Sequence, residues 1–211
     1  MFQQLVNYFQ TNSAEYWLAL LQHLGLSVIS LVIAFLIAFP LALLSYKKDF
    51  MRYLSQVFIQ SLRVIPSLGL LFILIPFIGV GNLPAIIALV ILGLPPILLN
   101  TVTGFSSIDD AFLEVAKGLG MSNWQMFYQV ILPLSLPYVL NGVKIALIEI
   151  IASATLATYI GAGGLGSLIF TGLGLYRFDL LVIGGVSVAT LSLFVMLIFD
   201  YVIRKVQKRV S

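Results

Sequence analysis

The chain has 211 residues, of which 61% are hydrophobic and 9% charged, and its net charge is +3. About a quarter of the residues in an ordinary soluble domain are charged, so a chain this apolar must use lipid as its solvent. The absence of cysteine excludes disulfides and thiolate metal sites. So small a net charge does not indicate a nucleic-acid-binding protein. We expect an all-α membrane protein with a single domain over residues 1–211.

Five apolar segments are long enough to cross the hydrocarbon core as helices, which takes about 20 residues. They cover residues 21–44, 54–78, 85–103, 136–160 and 180–203. The first 15 residues contain no Lys or Arg, so they lack the basic start of a cleaved signal peptide, and we expect the first segment to remain in the mature protein. The sequence therefore predicts a multi-pass protein with about five transmembrane helices.

The basic residues predict the orientation of these helices. If the N-terminus is outside, the bases that face the cytoplasm are Lys47, Lys48, Arg52, Lys117 and the four after residue 203, and only Arg177 lies in an outer loop. Cytoplasmic loops of membrane proteins carry an excess of Lys and Arg. We therefore predict an N-out, C-in topology, which places residues 106–133 in the cytoplasm.

Residues 106–133, here named the polar hairpin, interrupt the apolar sequence, and their first half predicts a short helix. Ser107 and Asp110 have the spacing of a helix N-terminal capping box. A helix over residues 111–118 would follow, and Gly118 and Gly120 both suit a left-handed C-terminal cap.

The second half of the polar hairpin predicts another short helix. Ser122 and Gln125 form a second capping box, which opens a helix over residues 123–132 that Pro133 helps to close. Neither helix is long enough to span a bilayer. A rigid knob of this kind suits docking into a partner, with apolar contacts from Phe112, Leu113, Trp124 and Phe127. The alternative is an amphipathic hairpin lying among the lipid headgroups.

Prolines within the apolar segments mark candidate positions on a solute pathway. Each proline removes a backbone hydrogen bond, and a broken helix at membrane depth is tolerated where it is buried in protein or lines a wet cavity. Pro66 lies in the second segment, and Pro95 and Pro96 lie in the third, shortly before Asn100. A packing kink is the alternative, and it is the favoured interpretation for the single Pro66.

Three charged residues, Arg63, Lys144 and Glu149, lie within or near the ends of the apolar segments. A charge at the bilayer centre costs about 2.5–3.5 kcal/mol on insertion scales, so it usually faces a partner or water. Lys144 and Glu149 diverge by about 140° around a helix, which makes them poor partners for each other. We expect Glu149 to face the pathway cavity or a second subunit, with a structural pair between helices as the alternative.

Two further features have plainer interpretations. The string Gly161-Ala-Gly-Gly-Leu-Gly166, here named the glycine loop, matches G-x-G-x-x-G. It follows a membrane helix instead of a buried strand, so it predicts a tight outer turn between close-packed segments and no dinucleotide site. His23 stands without a second ligand residue of the usual type nearby, which favours a structural role. No nucleophile, acid–base carboxylate pair or metal cluster stands out, so we predict no catalysis in this chain.

The polar hairpin resembles the EAA loop of the permease subunits of bacterial ABC importers. The order and spacing of six residues carry the resemblance: Glu114, Ala116, Gly120, Val130, Leu132 and Pro133. Val115 and Val130 replace the Ala and the Ile of that motif. The resemblance implies that these six residues form the joint with a separate ATPase, and that the protein has the MetI-like permease fold.

Further strings resemble one branch of these permeases, the osmoprotectant uptake subunits for glycine betaine, carnitine and choline. They include Ile65-Pro-Ser-Leu68, Leu94-Pro-Pro-Ile-Leu-Leu-Asn-Thr101 and Leu132-Pro-Leu-Ser-Leu-Pro137. The resemblance implies a pair of identical or different permease subunits in the bacterial inner membrane. It also implies two ATPase subunits that bind ATP and Mg²⁺, an extracytoplasmic binding protein, and no cofactor in this chain. Two alternatives remain: a permease for an amino acid or ergothioneine, and an ATP-independent channel or carrier.

Overall fold

The structure is a computed structural model that describes residues 2–46 and 49–210; Lys47 and Lys48, which the predicted topology uses, lie outside the described residues. The α-helices in chain order are α1 (Phe2–Thr11), α2 (Ser13–Ser45), α3 (Asp49–Val64), α4 (Ser67–Ile78), α5 (Asn82–Ser106), α6 (Asp110–Gly118), α7 (Asn123–Met126), α8 (Leu132–Ala154), α9 (Gly166–Gly174) and α10 (Phe178–Val210). A π-helical turn, Phe127–Ile131, joins α7 to α8, and a 3₁₀-helix, Leu156–Ile160, follows α8.

Four of the predicted spans are helices in the described part of the chain. The helices that are long and apolar enough to cross a membrane are Ser13–Ser45, Asn82–Ser106, Asn123–Ala154 and Phe178–Lys208. Three of them contain a whole predicted segment, because long apolar runs favour helices that satisfy their own backbone hydrogen bonds in lipid. Asn123–Ala154 contains residues 136–154 of the segment predicted over 136–160, and a 3₁₀-helix takes up most of the remainder.

The second predicted segment, residues 54–78, is broken at Pro66, where a packing kink was the favoured interpretation. Arg52–Val64 and Ser67–Ile78 meet at an angle of 90°, and the two count as a fifth span if the bent pair crosses the membrane together. Pro66 causes the break because it has no N–H and disfavours the helical conformation at Ile65. Pro66 itself is extended, with φ −64° and ψ 134°.

Pro95 and Pro96 behave differently, since α5 runs through both without a break. At this pair, for which a pathway break and a packing kink were both left open, the helix is not broken. Both prolines are buried, and α5 packs against α2 on one side and α8 on the other. That packing holds the helix together despite the lost backbone bonds.

Small residues allow these three helices to approach closely. Ala34, Ala38 and Ala42 form a fully buried stripe along α2. On α8, a Cβ added to Gly142 would lie 2.8 Å from the carbonyl oxygen of Pro96. Such small-residue contacts are typical of helix packing in membranes, where lipid removes the hydrophobic incentive for helices to associate. The core of the protein is therefore the α2–α5–α8 layer.

Two short helices were not predicted. The N-terminal α1 packs against α2 and α10, and it buries Tyr8. The other, α9, follows the glycine loop and packs against α10. Both are too short to give the long apolar signal of a transmembrane segment.

Candidate functional site

The first arm of the polar hairpin is α6, and its N-terminus is capped by a residue other than the expected one. The side chain of Asp109 accepts a hydrogen bond from the N–H of Ala111 at 3.0 Å. The predicted capping box of Ser107 and Asp110 is wrong, since the Ser107 hydroxyl donates to the carbonyl of Gly104 at 3.0 Å. Ser107 ends α5. The N-cap of α6 is therefore Asp109, whose backbone is extended as an N-cap requires.

The C-terminus of α6 is closed by a Schellman motif. Gly120 has a left-handed φ of +76°, its N–H donates to the carbonyl of Lys117 at 2.9 Å, and the N–H of Met121 donates to the carbonyl of Ala116 at 3.1 Å. This is the hydrogen-bond pattern of a glycine-terminated helix. Of the two glycines proposed for the cap, Gly120 takes the left-handed position and Gly118 remains helical.

The second arm begins at the predicted capping box. The N–H of Ser122 donates to Oε1 of Gln125 at 2.8 Å, and the N–H of Gln125 donates to the Ser122 hydroxyl oxygen at 3.3 Å. Both halves of the box are therefore present, and this prediction is confirmed.

The predicted end of this arm at Pro133 is wrong, because the helix continues to Ala154 as one apolar span. Pro133 has no N–H, and its ring crowds the carbonyl four residues before it. Just upstream, the backbone widens into the π-helical turn, in which the N–H of Leu132 donates to the carbonyl of Phe127. This wider turn accommodates the proline without ending the helix. The second arm is thus the end of a membrane helix.

The six motif residues occupy two faces of the hairpin. Ala116 is only 2% exposed and belongs to the same hydrophobic cluster as Ile131 and Met126. Val130 and Leu132 are half-buried against that cluster, and Pro133 is half-buried as well. Glu114 is exposed on the opposite side. The motif therefore contains residues that close the two arms on each other and one carboxylate that faces away from them.

The outer side of the hairpin is an exposed apolar face. It consists of five side chains that are 55–72% exposed: Phe112, Val115, Leu119, Trp124 and Tyr128. The rings of Trp124 and Tyr128 are stacked, with centroids 5.7 Å apart and an angle of 11° between their planes. We name these five residues the hairpin face.

Two of the four apolar contact residues expected from the sequence lie on the hairpin face, and two do not. Leu113 and Phe127 pack inward against the cluster around Ala116, and the Phe127 ring lies 6.1 Å from that of Phe105. Sequence reasoning missed three residues of the hairpin face. Val115 lies three residues after Phe112, Leu119 lies four after Val115, and Tyr128 lies four after Trp124. That periodicity was the available signal.

The charges within the helices separate into two groups. Nζ of Lys144 on α8 lies 2.8 Å from a carboxylate oxygen of Asp200 on α10, in the wall of a cavity of about 640 Å³. The expectation that Lys144 and Glu149 are not partners agrees with this geometry. Sequence reasoning missed Asp200, although an acidic residue in so apolar a helix signals a need for a partner.

The second group lies at the bend between α3 and α4. A cleft of about 410 Å³, here named the bend cleft, is lined by Arg63, Ser67, Pro95, Glu149, Ser153 and neighbouring apolar residues. The structure thus brings Glu149 and Pro95 together beside the break that Pro66 makes. It gives neither Arg63 nor Glu149 a salt bridge among the residues it describes.

The other three candidate pathway residues, Pro66, Pro96 and Asn100, are not among the residues that line the bend cleft. The side-chain amide of Asn100 donates to the carbonyl of Pro96 at 2.8 Å. Its oxygen accepts a hydrogen bond from Asn141 on α8 at 3.0 Å. Pro96 and Asn100 therefore contribute to the contact between α5 and α8.

The glycine loop is a tight turn between packed segments, as predicted. Gly161, Gly163 and Gly164 have φ between +71° and +86°, and a Cβ on Gly166 would overlap the carbonyl oxygen of Thr155. His23 is fully buried beside the loop. Its Nε2 donates to the carbonyl of Ile151 at 3.0 Å, which is the structural role expected of it.

Comparison with known proteins places this geometry in a family. Residues 30–208 match the family model described as the binding-protein-dependent transport system inner membrane component. The chain is 38% identical to the carnitine transport permease protein OpuCB of Listeria monocytogenes, over 98% of this chain and 93% of that protein. It is 37% identical to the glycine betaine/carnitine/choline transport system permease protein OpuCB of Bacillus subtilis, over 99% of this chain and 94% of that protein.

The fold has a solved counterpart. A chain of the MetNI methionine ABC transporter in an inward-facing conformation superposes with a TM-score of 0.81, covers 90% of this chain and 95% of its own length, and is 23% identical. At that identity the match concerns the fold, which is the MetI-like permease fold expected from the sequence. With the family match over most of its length, the chain belongs to the family of binding-protein-dependent transport system inner membrane components.

Proposed function

We propose that this chain is the permease subunit of an ATP-driven importer that moves a quaternary ammonium osmoprotectant across the bacterial inner membrane. The solute is glycine betaine, carnitine or choline, which are the solutes that the names of the similar permeases carry. The transporter also contains a second permease subunit, two ATPase subunits that bind ATP and Mg²⁺, and an extracytoplasmic binding protein. Catalysis lies in the ATPase subunits, and this chain supplies the path.

The polar hairpin carries this proposal. With the N-terminus outside, it faces the cytoplasm, where an ATPase is found. Both ends of α6 and the start of α7 are fixed by local hydrogen bonds, so the hairpin face is presented on a rigid element. A rigid surface with exposed aromatic side chains is the kind of surface that a protein partner buries.

The continuity of the second arm explains how a movement of the partner reaches the path. The arm runs through the π-helical turn into α8, so a displacement of the hairpin is also a displacement of α8. On α8, Gly142 lies against the backbone of α5, and Glu149 lines the bend cleft. Closure of the ATPase pair therefore favours one packing of α8 against α5 over another.

Reconstitution tests the proposal. The chain is incorporated into liposomes with its cognate ATPase and binding protein, and uptake of glycine betaine, carnitine, choline and ergothioneine is measured with and without ATP. We expect uptake of a quaternary ammonium osmoprotectant only with ATP and the binding protein. Flux without nucleotide would contradict the ATP-driven mechanism. Uptake of ergothioneine or an amino acid alone would replace the proposed solute.

A further inference from the structure

We infer that the bend cleft is a transit site for a zwitterionic solute, in which Arg63 receives the carboxylate and Glu149 faces the cationic group. This inference rests on the proposed function, because it assumes that the solute passes through the bend cleft. It goes further by naming two recognition residues and by separating betaines, which carry a carboxylate, from choline, which carries none.

The position of the cleft suits a solute path. Its walls come from the end of α3, the start of α4, the middle of α5 and the second half of α8. Pro95, which lines it, stands near the midpoint of α5 (Asn82–Ser106). The cleft therefore opens at about half the height of a membrane-spanning helix and beside a broken one, where many transporters bind their substrates.

The charges of the cleft differ from those elsewhere in the molecule. Lys144 bonds directly to Asp200 at 2.8 Å, and Arg177 bonds directly to Asp179 at 2.6 Å. Arg63 and Glu149 line one cleft and have no such bond in the described part of the chain. Charges at membrane depth face a partner or water, and these two share a cleft in which neither is directly bonded to the other.

A zwitterion complements that arrangement. The guanidinium of Arg63 offers a planar pair of N–H donors that matches a carboxylate. The α4 helix begins beside it at Ser67 with no side-chain cap, so the positive end of the helix dipole adds to the attraction for an anion. Glu149 attracts a quaternary ammonium, which has no N–H to donate, through its charge alone. Among the residues that the structure describes, none of those lining the cleft is aromatic, so the carboxylate is the group that distinguishes a betaine from choline there.

A single introduced thiol tests the inference. The chain has no cysteine, so Ser153→Cys places one reporter thiol in the cleft wall, and Ser67→Cys places one on the facing helix. Each variant is assembled with its ATPase and binding protein in membrane fragments that are open on both sides. Alkylation of this chain is followed by mass, with and without glycine betaine or choline. Lys205→Cys, on the exposed last turns of α10 and outside both the polar hairpin and the bend cleft, is the control for the reagent.

We expect glycine betaine to slow alkylation at both cleft positions, choline to do so much less, and neither to affect Lys205→Cys. Arg63→Gln should raise the half-protecting betaine concentration by about tenfold or more, the factor expected for a lost hydrogen bond between charged groups. Arg63→Lys, which keeps the charge, should restore part of the protection. Glu149→Gln should weaken protection by betaine and by choline alike.

Three results would overturn the inference: equal protection by choline, unchanged protection in Arg63→Gln, or a cleft thiol that no reagent reaches while Lys205→Cys reacts. The last result is expected if Arg63 and Glu149 are instead covered by a second permease subunit. Uptake of glycine betaine is measured on the same preparations sealed as vesicles. A failure of the proposed function appears as missing ATP-driven uptake, whereas a failure of the transit site appears as uptake without protection.

Discussion

The polar hairpin and the glycine loop both contain glycines in the left-handed conformation, but for different physical reasons. A Cβ on Gly120 in the hairpin would meet no atom within 4 Å. In the glycine loop, Cβ atoms on Gly163 and Gly164 would lie 2.6 Å from the Gln22 side chain and 3.1 Å from the His23 ring. Gly120 is needed only for its left-handed backbone conformation. Gly163 and Gly164 have that conformation too, and their missing side chains also leave the space that Gln22 and His23 of α2 occupy. The surface around Gly120 is open and therefore available to a partner protein, whereas the surface around Gly163 and Gly164 is already covered by α2.

The largest effect is expected where a new side chain has no space. Gly166→Ala places a Cβ against the carbonyl oxygen of Thr155, and such overpacking costs about 1–3 kcal/mol or more because backbone must move. We expect a clear fall in the thermal unfolding midpoint of the purified protein. Gly174→Ala, at the other end of α9 with nothing within 4 Å, is the control, and an equal fall in both variants would refute the packing argument.

A smaller loss of stability, together with a loss of coupling, is expected at the turn of the hairpin. Gly120→Leu has space for its side chain but forces a left-handed φ, which costs roughly 1–2 kcal/mol. Because the turn orients the hairpin face, ATP hydrolysis should continue while uptake falls. Gly118→Leu, in a helical and open position, should retain coupled uptake. Normal uptake by Gly120→Leu would contradict the role given to the turn.

The capping box allows a finer test of the same element. Ser122→Ala removes the acceptor for the Gln125 N–H, and loss of such a cap costs typically about 1 kcal/mol. The matched variant Ser107→Ala should have little effect on the hairpin, since Ser107 bonds to Gly104 instead of capping α6. Equal shifts in the unfolding midpoint would mean that the local caps do not hold the hairpin.

The smallest effect on stability is expected at the hairpin face. Trp124 is 71% exposed, so Trp124→Ala should change the free energy of unfolding by less than about 0.5 kcal/mol. Co-purification with the ATPase should nevertheless fall, because large aromatic side chains dominate protein interfaces. Trp17→Ala removes the other tryptophan, which is 58% exposed, and should leave the complex intact. If both variants keep the ATPase, the hairpin face contacts headgroups instead.

Local signals in the sequence were the ones that predicted structure correctly. The Ser122–Gln125 box and the left-handed Gly120 depend on neighbours within a few residues, and both are found as expected. The cap of α6 was misplaced because α5 extends far enough to use Ser107. That outcome depends on the length of the preceding helix, which propensities do not determine.

Features that depend on distant contacts were not predictable in the same way. Pro66 breaks its helix and Pro95 does not, although each has the same chemistry, because α5 is held by neighbours on two sides. The pair of Lys144 and Asp200 joins residues 56 positions apart. Sequence shows that each charge needs a partner, but only the fold shows which partner it has.

The π-helical turn gives the number of residues in the hairpin a geometric meaning. One residue corresponds to about 100° of rotation in an α-helix, and the wide turn holds one residue more than a regular turn does. Deleting a single residue from Phe127–Ile131 would therefore restore a regular turn and leave Trp124 on the same side of the α8 axis, whereas the same deletion in a regular α-helical turn would rotate it by about 100°. The π-helical turn is thus the place where this arm can gain or lose one residue without changing the direction in which Trp124 faces.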